Sequence, residues 1–131
     1  MEKENELSKL ILDAAFEAHK LYGPGLLESI YTEALYILLL QKGLKVSKEQ
    51  ALPVYLGEIK LGVGYRMDLV VEDSVIVEVK SVEAIHEIHV AQVLTYLKVS
   101  NIKLGLIINF NSILLKDGIR RVTNRLYPIS N

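Results

Sequence analysis

Residues 64–81, GYRMDLVVEDSVIVEVKS, constrain the fold most strongly, because they read as two strands joined by a tight turn. Side chains alternate between faces along a strand, so the length of the turn decides which residues face one another. A three-residue turn at Glu72–Ser74 places Asp68 directly opposite Glu78. A two-residue turn would instead point the two acids to opposite faces of the hairpin.

The second strand of this hairpin has the composition of a central strand. Its aliphatic run is nearly continuous: Val75, Ile76, Val77 and Val79. Charged residues inside such a strand need a physical reason, and two facing carboxylates repel each other. A divalent cation held by Asp68 and Glu78 would remove the repulsion, and such hard oxygen donors suit Mg²⁺ or Mn²⁺. Lys80 lies one step further along the same face, where it can orient a nucleophile or stabilise developing charge.

The same residues have a structural alternative, since an Asp and a Glu-x-Lys pair are common on the solvated face of a hairpin.

Helical spacing predicts three helices, over residues 2–21, 26–42 and 84–100. Strand patterns outside the hairpin cover residues 44–55, 58–63, 103–110 and 113–115. Pro53 indicates an edge strand or a bulge. The order of the elements predicts an α/β layer with a mixed sheet in one domain of 131 residues.

Five helical residues are further candidates for chemistry. Glu28, in the first turn of the second helix, either favours the helix dipole or adds a third carboxylate to the metal site. Tyr31 is either a packed aromatic ring or a functional group. His89, Gln92 and Tyr96 form one polar line on an apolar helix. They can hold a phosphate or the attacking water, or they are boundary residues or part of a dimer surface.

Composition limits the classes of function. The chain has no cysteine, which excludes disulfides and thiolate metal sites and fits a cytoplasmic protein. The longest apolar run, residues 35–40, is too short to span a membrane. A formal net charge of -1 argues against a general electrostatic coat for nucleic acid. It leaves room for a local basic groove, for which the cluster Arg120, Arg121 and Arg125 is a candidate.

Several of these motifs together resemble known families. The run GLLESIY at residues 25–31 resembles the signature of the GxxExxY family. Asp68 followed by Glu78-Val79-Lys80 resembles the core of the PD-(D/E)XK nuclease superfamily, to which that family is assigned. His89-x-x-Gln92-x-x-x-Tyr96 adds to the likeness, which extends from about Leu7 to Arg125. Met67 stands where the superfamily name would place a proline.

The resemblance implies a restriction-endonuclease-like α/β core, with a mixed sheet of four or slightly more strands flanked by helices. It also implies a nuclease that uses Mg²⁺ or Mn²⁺ to hydrolyse phosphodiester bonds, with DNA as the expected substrate. By position, Asp68 and Glu78 match the metal-binding pair and Glu28 matches the helical acid, binding the metal directly or through water. Lys80 matches the catalytic lysine, and Gln92 matches the polar residue of the following helix.

Arg66, Tyr31, His89 and Tyr96 are the expected substrate contacts in this interpretation. The rival hypothesis is a catalytically silent binding or scaffold protein with the same fold. A concave, positively lined groove beside Lys80 would favour the enzyme, and a blocked acidic pocket would favour the scaffold. A homodimer that buries the helix of residues 84–100 would enlarge the small binding surface.

Overall fold

The structure, a computed structural model, describes residues 1–124, so Arg125 of the predicted basic cluster lies outside the described residues. The described part contains three α-helices: α1 (Glu2–Tyr22), α2 (Glu28–Gln41) and α3 (Glu87–Ser100). Its strands are β1 (Val46–Leu56), β2 (Ile59–Val71), β3 (Val75–Lys80), β4 (Leu104–Asn109) and β5 (Ile119–Thr123). A short 3-10 helix covers Leu115–Gly118. None of these helices is both long and apolar enough to cross a bilayer.

The strands form one mixed sheet in the order β1-β2-β3-β4-β5. Strands β3 and β4 run parallel, and the other neighbouring pairs are antiparallel. The parallel pair is joined by α3, as a crossover connection requires. The predicted α/β architecture with helices flanking a mixed sheet is confirmed, with five strands.

Apolar side chains fill both faces of the sheet. The first face packs on α1 and α2 and forms the α1/α2 core, which includes Ile11, Leu35, Leu69, Val77, Leu106 and Phe110. The second face packs on α3 and forms the α3 core, which includes Met67, Val70, Ile76, Val93, Tyr96 and Ile107. Strand β3 is buried on both faces up to Val79, which confirms that it is a central strand.

The hairpin that joins β2 and β3 has the predicted three-residue turn. Val71 pairs with Val75, and the Ser74 amide donates a hydrogen bond to the Val71 carbonyl at 2.9 Å. Glu72 and Asp73 both have a φ of 52°, a left-handed conformation that acidic and amide side chains tolerate better than most. This turn sets the register of the regular pairing, which runs from Val71 and Val75 to Leu69 and Val77 and ends one residue before Asp68 and Glu78.

Regular alternation along β2 is broken at Asp68. Met67 and Val70 both pack in the α3 core, whereas strict alternation would place them on opposite faces. The neighbouring strand is irregular at the same level, because Glu49 has a φ of 52° and the β1-β2 pairing passes over it. Asp68 and Val70 therefore do not share one face, although strict alternation along the strand predicts that they do, and Asp68 lines a cavity beside α2.

The predictions for Pro53 and for residues 113–115 had different outcomes. Pro53 lies on the edge strand β1, where the pairing with β2 shifts register between Pro53 and Tyr55, as expected for either a bulge or an edge. The predicted strand at residues 113–115 is wrong, because only Leu115 of this apolar run is buried and Ile113 is 80% exposed. The chain instead turns through the 3-10 helix, and β5 pairs with β4.

Gly105 in β4 allows α3 to lie close to the sheet. A Cβ atom at this position would lie 2.6 Å from Cγ1 of Val93, a side chain whose χ1 angle is stiff in a helix. We therefore expect Gly105→Ala to lower the free energy of unfolding by about 1–3 kcal/mol, measured by urea denaturation. Gly62→Ala is the control, since its Cβ would meet no heavy atom within 4 Å. Equal stability of the two variants would show that Val93 yields without cost.

Candidate active site

The centre of the site is a reciprocal pair of hydrogen bonds between β2 and β3. The Asp68 amide donates to Oε2 of Glu78 at 2.9 Å, and the Val79 amide donates to Oδ2 of Asp68 at 2.8 Å. Regular pairing of the two strands ends at Leu69 and Val77, so the carboxylates accept bonds that main-chain carbonyls would otherwise accept. Because each acid reaches the backbone of the other strand, the two carboxylates lie well within about 10 Å of each other.

Burial makes this pair electrostatically costly. Glu78 is only 4% exposed, and burial raises its pKa to about 8, with the neighbouring Asp68 charge adding to the rise. Burial also raises the pKa of Asp68, against the opposing effect of the hydrogen bond from the Val79 amide. The charge of Lys80 acts to lower both values. Without a cation, Glu78 therefore tends to retain a proton near neutral pH.

The donor chemistry of Asp68 and Glu78 fits a divalent metal ion. Their oxygens are the hard ligands that Mg²⁺ and Mn²⁺ prefer. Within residues 1–124 neither acid takes part in an ion pair. The same residues contain no cluster of three or more His, Asp or Glu side chains that could hold a metal. Two carboxylates are therefore available as direct ligands, and water or a carbonyl group would have to complete the coordination shell.

Glu28 lies at the first position of α2 and is exposed. Its negative charge raises the pKa of both Asp68 and Glu78, which places it within electrostatic range of the pair. It does not join them in a three-residue metal cluster within the described residues. That Glu28 binds the metal, directly or through water, therefore stays a prediction.

A cavity of about 550 Å³ opens beside the pair, between α2 and the β1-β2 strands. Its charged lining consists of Glu28, Glu33, Glu49, Asp68, Lys48 and Arg66. Each cation is paired there, Arg66 with Glu49 at 3.4 Å and Lys48 with Glu33. The cavity is open, as the enzyme hypothesis requires, but it is not positively lined. A phosphate group would therefore be repelled unless metal ions compensated the carboxylates.

Lys80 ends β3 beside the acids and is half-buried. Its backbone carbonyl accepts a hydrogen bond from the Phe110 amide at 2.9 Å, which fixes the end of the strand. Its charge reaches Asp68, Glu78 and His89, since it lowers the pKa of all three. This is the position from which an ammonium group can act on a water or phosphate beside the carboxylates.

Two positioning residues were not identified from the sequence. Asn109, 2% exposed at the end of β4, accepts a hydrogen bond from the Val82 amide at 3.0 Å and donates to the Val82 carbonyl at 2.9 Å. Ser81 donates to the Leu26 carbonyl at 2.7 Å. These bonds hold the chain just after Lys80 against β4 and against the loop before α2. The sequence could have indicated the role of Asn109, because an asparagine at the end of an aliphatic strand is often buried and a buried amide needs hydrogen-bond partners.

His89 lies in the first turn of α3, within electrostatic range of Lys80 and Glu28. Its Nδ1 accepts a hydrogen bond from the His86 amide at 3.0 Å, so the neutral ring carries its proton on Nε2. Partial burial and the nearby Lys80 charge lower the pKa of His89, which favours this neutral form. His89 therefore has one N–H donor, on Nε2, that can take part in binding. Gln92, half-buried one turn later, lies on the same line of the helix.

Tyr96, at the end of that line, is 3% exposed and packs in the α3 core. Its ring lies 5.3 Å from the ring of Tyr65, centroid to centroid. Burial raises the pKa of Tyr96 to about 12, and the Glu78 charge contributes. Tyr96 is therefore a packed ring of the α3 core and not an exposed side chain, which corrects its expected role as a substrate contact.

Tyr31 is fully buried in the α1/α2 core. Its ring stacks on Phe110 at 4.6 Å with an angle of 9° between the planes. The hydroxyl donates to the Gly23 carbonyl at 2.5 Å and accepts from the Leu26 amide at 3.1 Å. Tyr31 therefore holds the loop that carries Glu28 into α2. The expected substrate contact is corrected in favour of the packing role that the sequence left open.

Comparison with known proteins gave one match. A family model described as the PD-(D/E)XK nuclease superfamily matches residues 5–122, which is most of the chain. No curated protein and no solved structure gave a significant match.

Proposed function

The chain belongs to the PD-(D/E)XK nuclease superfamily, and we propose that it is a Mg²⁺- or Mn²⁺-dependent nuclease of the GxxExxY type that hydrolyses phosphodiester bonds in DNA. Nucleases of this superfamily generally use divalent metal ions. The observation that carries the proposal is the buried carboxylate pair, Asp68 and Glu78, with Lys80 beside it. Such a pair has a high electrostatic cost in isolation, and a cation would offset that cost.

Each side chain has a distinct role in the proposed reaction. Asp68 and Glu78 hold the metal, which when bound polarises a phosphoryl oxygen and increases the acidity of a water. Lys80 orients the attacking water and stabilises the charge that develops on the phosphate. Glu28 acts through a water at the opposite side of the cavity. His89 donates a hydrogen bond from Nε2 to a substrate oxygen, and Gln92 helps to orient that oxygen.

Arg66 is the proposed phosphate contact at the mouth of the cavity. Its guanidinium is 73% exposed and pairs only loosely with Glu49, so it can exchange that partner for a phosphodiester.

We further propose that residues 1–131 form one domain, that the protein acts in the cytoplasm and that it forms a homodimer. The excess of carboxylates around the cavity favours one alternative, a nuclease-fold binding protein without catalytic activity.

Replacement of Lys80 by alanine separates these two functions. We expect Lys80→Ala to retain binding of Mg²⁺ or Mn²⁺ in calorimetry and to lose about 10²–10³-fold of the DNA cleavage rate, because the ligands remain and the charge stabilisation is lost. Lys48→Ala is the control, since Lys48 lines the cavity beside the acids and its replacement is expected to change the rate less than tenfold. Metal binding by the wild type without cleavage of DNA would favour the binding protein. Absence of metal binding would contradict the proposed nuclease.

A further inference from the structure

The β1-β2 hairpin extends beyond the rest of the sheet. We call residues 53–65 the arm. Strand β2 has 13 residues, but its regular pairing with β3 covers only Leu69–Val71. Residues 53–64 are exposed, apart from the half-buried Val54. Within residues 1–124, the arm is therefore a two-stranded ribbon with a free edge on each side.

The composition of the arm does not match this exposure. Large apolar side chains are exposed along its length: Tyr55 (56%), Leu56 (70%), Ile59 (67%), Leu61 (37%), Val63 (77%) and Tyr65 (39%). A two-stranded ribbon alone is marginally stable in water. A long apolar edge also presents unpaired backbone groups to any other strand. Both features indicate that the arm is covered in the working protein.

Charge and geometry limit what can cover it. Glu58 and Lys60 are the only charged residues of the arm, so it attracts neither nucleic acid nor an anionic lipid surface. The exposed apolar side chains offer on the order of 600 Å² per chain, close to the roughly 800 Å² that each partner buries in a standard interface. One side of the ribbon also forms a groove of about 220 Å³, lined by Leu52, Leu61, Val63 and Tyr65 among others.

We propose that the arm pairs with the arm of a second copy of this chain and forms a two-fold symmetric homodimer. Two antiparallel copies of one edge are complementary under two-fold rotation, and each can place an apolar side chain in the groove of the other. The predicted dimer through α3 is less well supported, because Val93, Tyr96 and Leu97 of that helix are already buried in their own chain. The proposal does not depend on nuclease activity.

Sedimentation velocity with the full chain tests the interface. We expect the wild type to be a dimer at about 10–100 µM and the double variant Ile59→Lys/Val63→Lys to be a monomer, with its dimer dissociation constant raised at least about 100-fold. Ile88→Lys/Ile113→Lys is the matched control, since Ile88 and Ile113 are 71% and 80% exposed outside the arm. The control is expected to remain a dimer.

A second measurement covers the case in which the lysine variant fails to fold. The chain has no cysteine, so Val63→Cys introduces a single thiol. A short bis-maleimide should cross-link Val63→Cys to a covalent dimer and should form no covalent cross-link between copies of Ile113→Cys. A monomeric wild type at about 100 µM overturns the proposal, as does a dimer that persists in the folded arm variant. Equal cross-linking of the two cysteine variants also overturns it.

Discussion

Glu78→Gln is expected to lower metal-dependent DNA cleavage by about 10³-fold or more, and to make the metal-free protein more stable at alkaline pH. Glutamine has nearly the same shape and can still accept the hydrogen bond from the Asp68 amide. It removes the negative charge on which metal binding depends. It also removes the repulsion between two buried carboxylates, so activity and stability should change in opposite directions.

The pKa of Glu78 determines whether stability rises or falls with pH. Burial raises the pKa of Glu78 from 4.5 to about 8, and the Asp68 charge adds to it. The stabilising contribution of a group with a raised pKa is fully present below its unfolded value and is lost as pH rises through its folded value. Metal-free wild type should therefore lose on the order of a few kcal/mol between about pH 5 and 9 from this group. Asp68 acts in the same direction.

Urea denaturation in EDTA at pH 5.5 and 8.5, with cleavage assayed on the same samples, checks both parts. The wild type should be less stable at pH 8.5 than at pH 5.5, and this difference in stability should be smaller for Glu78→Gln. Addition of Mg²⁺ should restore stability to the wild type alone. Glu33→Gln is the control, because Glu33 lines the cavity beside Asp68 but is exposed. Full cleavage by Glu78→Gln would exclude Glu78 as a ligand. Lower stability of that variant at pH 8.5 would contradict the raised pKa.

Tyr31→Ala is expected to lower the free energy of unfolding by about 3–5 kcal/mol. The substitution removes a fully buried ring that stacks on Phe110. It also leaves the Gly23 carbonyl and the Leu26 amide without the hydroxyl that joins them. The loss is a large fraction of the stability of a domain of this size, and thermal unfolding should shift accordingly.

Tyr31→Phe separates the hydroxyl from the ring. We expect a loss of about 1–3 kcal/mol, because two backbone groups lose their partner while the stack on Phe110 remains. Tyr22→Phe is the matched control, since Tyr22 lies beside the same loop and is 49% exposed. A Tyr31→Phe protein of normal stability with a raised KM for DNA would instead establish a contact between Tyr31 and substrate.

Sequence patterns were sufficient for the centre of the fold. The aliphatic run of β3 predicted a buried central strand, because burial on both faces removes the polar alternation. The turn at Glu72–Ser74 then set the register of the hairpin as far as Leu69 and Val77. Both inferences use only neighbouring residues and the period of a strand, so they do not depend on distant contacts.

Features that depend on distant contacts could not be predicted in this way. The break in alternation at Asp68 coincides with a left-handed residue on another strand, Glu49. The burial of Tyr31 and Tyr96 depends on Phe110 and Tyr65, which approach them only in the folded chain. By residue type alone, each tyrosine was equally compatible with an exposed contact and a packed ring.

The hydrogen bonds between Asp68, Glu78 and the facing strands have a consequence for reading related sequences. Each acid closes a gap between β2 and β3 with a hydrogen bond that asparagine or glutamine could also accept, so folding can retain either the acids or their amides after catalysis has been lost. Within residues 1–124 the ammonium group of Lys80 takes part in no ion pair, and it is the backbone carbonyl of Lys80 that fixes the end of the strand. A relative that keeps both acids but lacks this lysine should therefore be regarded as a candidate pseudoenzyme rather than as a nuclease.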